Sequence, residues 1–172
     1  MSGISNIFLS DSSEFLCPTC KKGILHFRDY CRRIVRYEGG DSEWIFIPRH
    51  QCDNPQCRRL HRMLPDFLVP FRHYREEVIM EALDDRITPS ESDDFPSLKT
   101  VIRWKHWLML NALDIDGHLK SIGYRELGFS MELLRSGVSL LQKLRSSIPG
   151  GWLKVILRVI YNSGARLRPF YL

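Results

Sequence analysis

Hydrophobic and polar residues follow one period in the first third of this chain and a different one beyond it. Segments rich in aromatic and β-branched residues, 26–37 and 44–50, flank the turn sequence Glu38-Gly39-Gly40-Asp41. This pattern predicts a β-hairpin. Between residues 71 and 86 the apolar positions instead recur every three to four residues, which predicts a helix.

The rest of the chain is predicted to be mainly helical. Ser97 is placed to cap a helix that runs to Leu108. Residues 87–96 predict a turn or a short helix start, and a second turn is predicted over 114–117. Leucines at helical spacing predict a helix over 127–144, and a last helix is predicted over 152–161.

Composition limits the class of protein. A chain of 172 residues with 44% hydrophobic residues is large enough to bury a core. No apolar run approaches the length that spans a bilayer, and residues 1–13 lack the basic start and apolar stretch of a secretory leader. We therefore expect a cytoplasmic protein that does not engage a membrane.

Four cysteines in two short pairs carry the clearest chemical signal. Cys17 and Cys20 form a Cys-x2-Cys turn, and Cys52 and Cys57 form a wider Cys-x4-Cys turn. Zinc takes four tetrahedral ligands, and two facing turns can present four thiolates to one ion. We predict one structural zinc ion (Zn2+) on these four cysteines. Two complete pairs leave no open position on the metal, so no catalytic role is predicted for it.

Other roles for the cysteines and nearby histidines remain open. Disulfide bonds fit poorly, because five cysteines are an odd number and no secretory leader opens the chain. Cys31 is predicted to be a half-buried strand residue. Either His50 or His61 could replace one sulfur, since imidazole is a common zinc ligand, and spacing favours His61.

Positive charge is concentrated around the cysteines. Residues 17–75 hold 12 of the 25 Lys and Arg residues but only six acidic ones, and ten of the twelve are arginine. Guanidinium groups suit phosphates and base edges, so this region is predicted to contact a polyanion. A solvated basic face is the simpler alternative. The arginines predicted to grip phosphates are Arg32, Arg33, Arg49, Arg58 and Arg59.

A second DNA-contacting element is predicted beside the cysteines. The helix over 71–86 and the helix that begins at Ser97 form the pattern of a helix-turn-helix. In this interpretation the second helix faces the major groove or its phosphates. The residues predicted to make the contacts are Lys99, Thr100, Arg103 and His106. The alternative is a packed helix pair in which these residues form the solvent-exposed side of the second helix.

These elements together predict an α+β protein. The hairpin flanked by two cysteine turns is the minimal zinc ribbon, and such a small unit needs its metal to fold. The predicted segments are an N-terminal tail (1–14), a zinc ribbon with its connector (15–70), helix-turn-helix-like helices (71–113) and a C-terminal helical region (114–172).

The order of motifs resembles a known family. Cys-Pro-x-Cys, a basic hairpin, Ile-Pro-Arg-His-Gln-Cys, Leu-Pro-Asp-Phe-Leu-Val-Pro-Phe-Arg-His-Tyr and Thr-Val-Ile-Arg-Trp-Lys-His-Trp follow one another over residues 15–110. The order resembles an uncharacterised bacterial zinc-ribbon family, which is similar to the zinc-ribbon and helix-turn-helix front ends of insertion-sequence transposases. The resemblance implies zinc on the four cysteines and DNA contact by Lys99, Thr100 and Arg103. Such ribbons usually have Cys-x2-Cys as the second pair, so the wider turn departs from the pattern.

Catalysis is not predicted. Transposases of this kind continue into a catalytic domain whose three separated carboxylates hold two metal ions. Here Asp84-Asp85, Asp93-Asp94 and Asp114/Asp116 lie in or beside predicted turns. We expect a non-enzymatic DNA-binding protein, a regulator or accessory factor of a mobile element. The alternative is an adaptor that docks a protein partner, or self-associates, through the ribbon and the C-terminal helices.

Overall fold

A single sheet and a group of helices make up the part of the chain that the computed structural model describes, residues 4–8, 15–87 and 96–169. The strands are β1 (Ser5–Phe8), β2 (Leu25–Arg36), β3 (Ser42–Cys52) and β4 (Leu60–Leu64). The helices are α1 (Glu76–Leu83), α2 (Leu98–Leu127), α3 (Met131–Arg135), α4 (Leu140–Ser147) and α5 (Trp152–Asn162). The predicted α+β class is confirmed.

The predicted hairpin is formed by β2 and β3. Leu25 lies opposite Cys52 at its open end, and Arg36 lies opposite Ser42 at its closed end. The turn contains Gly39 and Gly40, whose φ angles of 88° and 86° are readily adopted only by glycine. A bulge follows Phe27 and shifts the register of β2.

The sheet also contains a strand that the sequence did not predict. Its order is β1-β4-β3-β2, and β1 runs parallel to β4, with Ser5 opposite His61. Residues 5–8 were expected to lie in a tail, but all four are buried. The backbone N–H of Phe8 donates to Asn162 Oδ1 at 2.7 Å, and Asn162 Nδ2 donates to the carbonyl of Phe8 at 3.2 Å. This pair fixes β1 to the end of α5.

Helix α2 differs most from its prediction. The cap is confirmed, since the Ser97 side chain accepts a hydrogen bond from the Thr100 N–H. The predicted end at Leu108 and the turn over 114–117 are wrong, because α2 is continuous for 30 residues. Asp114 and Asp116 act on the helix surface instead: Asp114 Oδ2 accepts from Arg168 Nε at 3.0 Å, and Asp116 Oδ1 accepts from the Leu141 N–H at 2.7 Å.

Two other helix predictions need correction. The helix predicted from residue 71 begins only at Glu76, because Tyr74 and Arg75 form bridges with Arg36 and Leu68. The helix predicted over 127–144 is divided into α3 and α4. Gly128, at a φ of 65°, caps α2 before the break. The predicted last helix is confirmed as α5, whereas the prediction for 87–96 falls mostly on residues 88–95, outside the described residues.

One continuous core joins the sheet to the helices. It includes Phe8, Ile47, Ile115 and Trp152, and it extends to Leu167. The predicted segments 15–70, 71–113 and 114–172 all contribute to it, and the boundary between 113 and 114 falls inside α2. Among the described residues, no helix combines the length and apolarity needed to cross a membrane.

Candidate metal centre and basic surfaces

The two cysteine pairs meet in one cluster. The sulfur atoms of Cys17, Cys20, Cys52 and Cys57 all lie within 4.8 Å of one another. The Cys17–Cys57 sulfurs are 3.9 Å apart and the Cys20–Cys52 sulfurs are 3.7 Å apart. Four sulfurs around a tetrahedral ion at 2.3 Å would be about 3.8 Å from one another. The four cysteines therefore fit one four-coordinate metal ion, and we call this cluster the metal centre.

The first cysteine turn, residues 17–23, is held by its own backbone. The Cys17 N–H donates to the Gly23 carbonyl at 2.8 Å, and the Lys21 N–H donates to the Cys17 carbonyl at 2.8 Å. Lys21 has a φ of 56°, the left-handed conformation that lets the chain reverse directly after Cys20. The turn thus brings both sulfurs to one side.

The second cysteine turn, residues 52–59, achieves the same result with a longer spacing. The Cys57 and Arg58 N–H groups both donate to the Asn54 carbonyl, at 2.9 Å and 3.0 Å. Arg58 has a φ of 48°, so it repeats the role of Lys21. The Asn54 side chain closes the turn, because its Oδ1 accepts from the Gln56 N–H at 3.0 Å. The wider spacing is therefore accommodated without losing Cys57 from the cluster.

The two turns also hold each other. The Asp53 N–H donates to the Ile24 carbonyl at 3.0 Å, and the Ile24 N–H donates to Asp53 Oδ1 at 2.8 Å. Gly23 lies so close to the second turn that a methyl group on it would be 2.5 Å from Cys52 Sγ. The close approach of the turns therefore requires glycine at this position.

Backbone donors and burial act in opposite directions on the thiols. Hydrogen bonds from the Gly23 and Lys22 backbone lower the pKa of Cys20 to about 6. Burial raises the pKa of Cys52 to about 12 and also raises the pKa of Cys57. Because metals bind thiolates, the Cys52 and Cys57 thiols must lose their protons when the centre is loaded.

Neither histidine belongs to the cluster of ligand atoms found among the described residues. His61 is buried next to it, with Nε2 3.4 Å from Cys17 Sγ and Nδ1 2.8 Å from Ser5 Oγ. Burial lowers the pKa of His61 to about 4, so the ring is neutral. His50 of β3 lies opposite His61 of β4. Its ring packs on Phe27, and the centroids of these two rings are 5.8 Å apart. Cys31 is half-buried in β2, as predicted.

The arginines predicted to grip phosphates divide into two groups. Arg33 donates to the carbonyls of Val69 and Arg72, and Arg49 donates through two nitrogens to the carboxylate of Asp29. These two guanidinium groups fasten the protein to itself. Arg32 and Arg58 are exposed at the surface, and Arg59 is half-exposed.

Three of the four predicted contact residues on α2 line a cleft of about 290 Å³. These are Thr100, Arg103 and His106, whereas Lys99 is exposed outside it. The sequence did not predict the other polar residues of the cleft. None of the described residues that line the cleft is acidic, and we call it the basic cleft. Its remaining charged or imidazole residues are Arg36, Arg72 and His73.

The predicted helix-turn-helix corresponds to α1 and α2. Residues 84–97 separate the two helices, and 88–95 lie outside the described residues. A helix-turn-helix joins its helices by a short turn of three or four residues. The described part of the chain does not show this motif.

Comparison with known proteins gives one match. A family model described as a domain of unknown function, DUF6431, matches residues 17–104, from the first cysteine of the metal centre into α2. No curated protein and no solved structure matches the chain. The resemblance to transposase front ends stays a prediction.

Proposed function

This chain belongs to the DUF6431 family, and we propose that it is a non-enzymatic DNA-binding protein whose metal centre holds one structural zinc ion. Four cysteine sulfurs at tetrahedral spacing favour zinc over the harder divalent cations, which prefer oxygen ligands. The closed ligand set supports a structural role for the metal. The resemblance to transposase ribbons supports a place beside mobile elements, as a regulator or accessory factor.

The basic cleft is the observation that carries this proposal. It gathers Arg36 from β2, Arg72 from the segment between β4 and α1, and Arg103 from α2, together with two histidines. Burial lowers the pKa of Arg72 to about 10, which still leaves it charged at neutral pH. The lining residues of the cleft include three arginines and no acidic residue, so the concavity is positive, and phosphate oxygens are suitable acceptors for it.

The frame around the cleft holds its donors in place. The Arg36 N–H donates to the His73 carbonyl at 2.8 Å, and the Arg75 N–H donates to the Arg36 carbonyl at 3.0 Å. Tyr74 packs edge-on against Trp104 of α2, with ring centroids 5.3 Å apart. Because these contacts join β2, the segment between β4 and α1, and α2, the arginines need little rearrangement to meet a ligand. In this proposal α2 is the DNA-reading helix, and exposed Arg32 and Arg58 add phosphate contacts.

The proposal is tested by how DNA affinity depends on salt concentration and on Arg103. We expect the full chain to contain one zinc and to bind random duplex DNA with an affinity that falls linearly on a log-log plot against salt. Arg103→Ala should weaken binding and reduce the salt slope by about one. Lys120→Ala, an exposed change elsewhere on α2, is the matched control and should leave both unchanged. A zinc-loaded chain that does not bind duplex DNA at low salt would refute the proposal.

A protein-interaction adaptor is the second candidate. Four large apolar side chains at helical spacing are exposed along one side of α2: Leu98, Ile102, Met109 and Leu113. Such a stripe is typical of a surface that docks a partner or a second copy. The affinity of an apolar docking surface responds little to salt. The same salt titration with a captured protein partner therefore separates the two candidates. For a second copy of the chain, the mass in solution at two salt concentrations does so.

A further inference from the structure

Four large aromatic side chains lie on the side of the hairpin that faces away from the helices. Phe27, Tyr30, Trp44 and Phe46 are 53%, 60%, 58% and 67% exposed. The side chains at alternate positions, such as Val35 and Ile47, are buried in the core. The solvent-exposed side of a sheet is normally polar, so four large exposed rings on one hairpin depart from the usual pattern.

We call this set of four exposed rings the aromatic face. The ring centroids of Phe27 and Tyr30 are 5.0 Å apart. Arg32 lies directly opposite Phe46 across the hairpin, and its guanidinium carbon is 4.7 Å from the Trp44 ring centroid. A cation is therefore placed in the middle of the rings.

Charge on the aromatic face favours an anionic ligand. By strand alternation Arg32 and Arg36 share this face with the rings. The acidic residues within β2 and β3 take the opposite face, where Asp29 accepts from Arg49 and Glu43 accepts from Tyr37. A ligand on the aromatic face thus meets rings and positive charge, without a carboxylate from either strand.

We propose that the aromatic face stacks the unpaired bases of a single-stranded nucleic acid. Residues two positions apart on a strand, such as Trp44 and Phe46, are about 6.8 Å apart. Stacked nucleotides advance by only about 3.4 Å, so neighbouring bases can occupy both rings only when they are splayed apart. An unpaired strand can splay its bases and offer their flat surfaces, whereas a duplex hides them.

Arg36 connects this face to the basic cleft. It lies four positions beyond Arg32, on the same side of β2, and it also lines the basic cleft together with Arg103. A nucleic-acid strand whose bases stack on the aromatic face could therefore extend its phosphates toward the basic cleft. The inference rests on the proposed function, because it assigns the class of nucleic acid that the same basic region binds.

Trp44 makes the contact directly observable. It is exposed, whereas Trp104, Trp107 and Trp152 are buried. Binding of an unlabelled thymidine oligonucleotide of about 15 nucleotides should quench the exposed part of the tryptophan emission. Trp44→Phe should bind but show no quenching, which identifies Trp44 as the source of the signal.

The decisive variant is Phe46→Ala in the full, zinc-loaded chain. It should weaken binding of the labelled thymidine strand about tenfold or more, since one stacking ring is lost, and leave duplex binding unchanged. Tyr124→Ala removes a ring of equal exposure, 65%, from α2 and should change neither. A uridine strand of the same length tests whether RNA is accepted as well. Far-UV circular dichroism checks that each variant is folded.

The outcomes separate this inference from the proposed function. Duplex binding that depends on Arg103, with single-strand binding indifferent to Phe46 and no quenching, overturns the inference and leaves the proposed function standing. Single-strand binding that depends on Phe46 without duplex binding supports the inference and overturns the duplex contact. Failure to bind either form overturns both.

Discussion

His61 joins the metal centre to the first strand, because its Nε2 lies 3.4 Å from Cys17 Sγ while its Nδ1 lies 2.8 Å from Ser5 Oγ. Both ring nitrogens are thus engaged, and the ring is fully buried. The small cluster around it consists of Ile7, Leu25 and Met63 with two of the cysteines. The metal, β1 and this cluster are therefore expected to lose their order together.

His61→Ala tests whether the histidine supports the centre or belongs to it. We expect the variant to keep one zinc per chain, since four sulfurs complete the site. It should be destabilised by about 2–4 kcal/mol, because a buried ring and its hydrogen bonds are removed. Zinc content and thermal unfolding provide the two measurements. Cys52→Ser is the reference for true ligand loss, and a His61→Ala chain equally poor in zinc would show that His61 is a ligand.

Gly23→Ala should damage the metal centre without removing a ligand. Its new methyl group would lie 2.5 Å from Cys52 Sγ and 2.7 Å from Asp53 Oδ1, so the two turns must separate. We expect a faster release of zinc to a chelator. Gly117→Ala, the same change in open space on α2, should instead stabilise the protein by about 0.5–1 kcal/mol. Equal release rates in the two variants would contradict the prediction.

Glu76 should make the protein less stable as the pH rises. Burial raises the pKa of its carboxyl group from 4.5 to about 7, while Oε1 accepts from the Lys154 N–H at 3.0 Å. The folded state then binds more protons than the unfolded state between these values, so stability is highest below pH 4.5, falls as the pH rises to about 7 and levels off above it. Glu76→Gln should remove this loss.

Urea unfolding at pH 5 and pH 8 measures the effect. The stability gained by Glu76→Gln should be larger at pH 8, by on the order of 2–3 kcal/mol. Glu77→Gln changes the exposed neighbour and should show no such difference between the two pH values. A gain for Glu76→Gln that is the same at both values would argue against a buried, protonated carboxyl group.

Asp84 should be the most sensitive carboxylate at the junction of α1, α4 and α5. Its Oδ1 accepts from Arg145 Nη2 at 2.6 Å and its Oδ2 accepts from the Trp152 indole N–H at 3.0 Å. The Asp84 side chain is only 12% exposed. Asp84→Asn should cost about 2–4 kcal/mol in chemical denaturation, because Arg145 loses its counter-charge in a dry site. Asp85→Asn, at a 78% exposed neighbour, should cost less than about 0.5 kcal/mol.

Local signals in the sequence were sufficient for the hairpin and the cysteine set. The glycine turn, the Ser97 cap and the closely spaced cysteines each act over a few residues, so they are visible without the fold. β1 was not visible, because a short strand such as Ser5–Phe8 is defined by its distant partner β4. Pairing between remote segments leaves little trace in either segment alone.

The predicted helix boundaries were wrong where hydrogen bonds to distant residues override the local turn preference of the sequence. Asp114 and Asp116 are turn formers, but Arg168 and Leu141 satisfy them on a continuous α2. The leucine period over 127–144 concealed the serine caps that start α3 and α4. The sequence also does not separate the arginines, since nothing local distinguishes exposed Arg32 from Arg49, which forms an ion pair with Asp29.

The bond pair between Phe8 and Asn162 sets an order for biosynthesis. β1 leaves the ribosome first, but the side chain that fastens it belongs to the end of α5, which leaves much later. All four cysteines and β4, the pairing partner of β1, emerge well before that helix. We therefore expect the Phe8–Asn162 pair to form last, after the cysteine turns have met and after β1 has paired with β4.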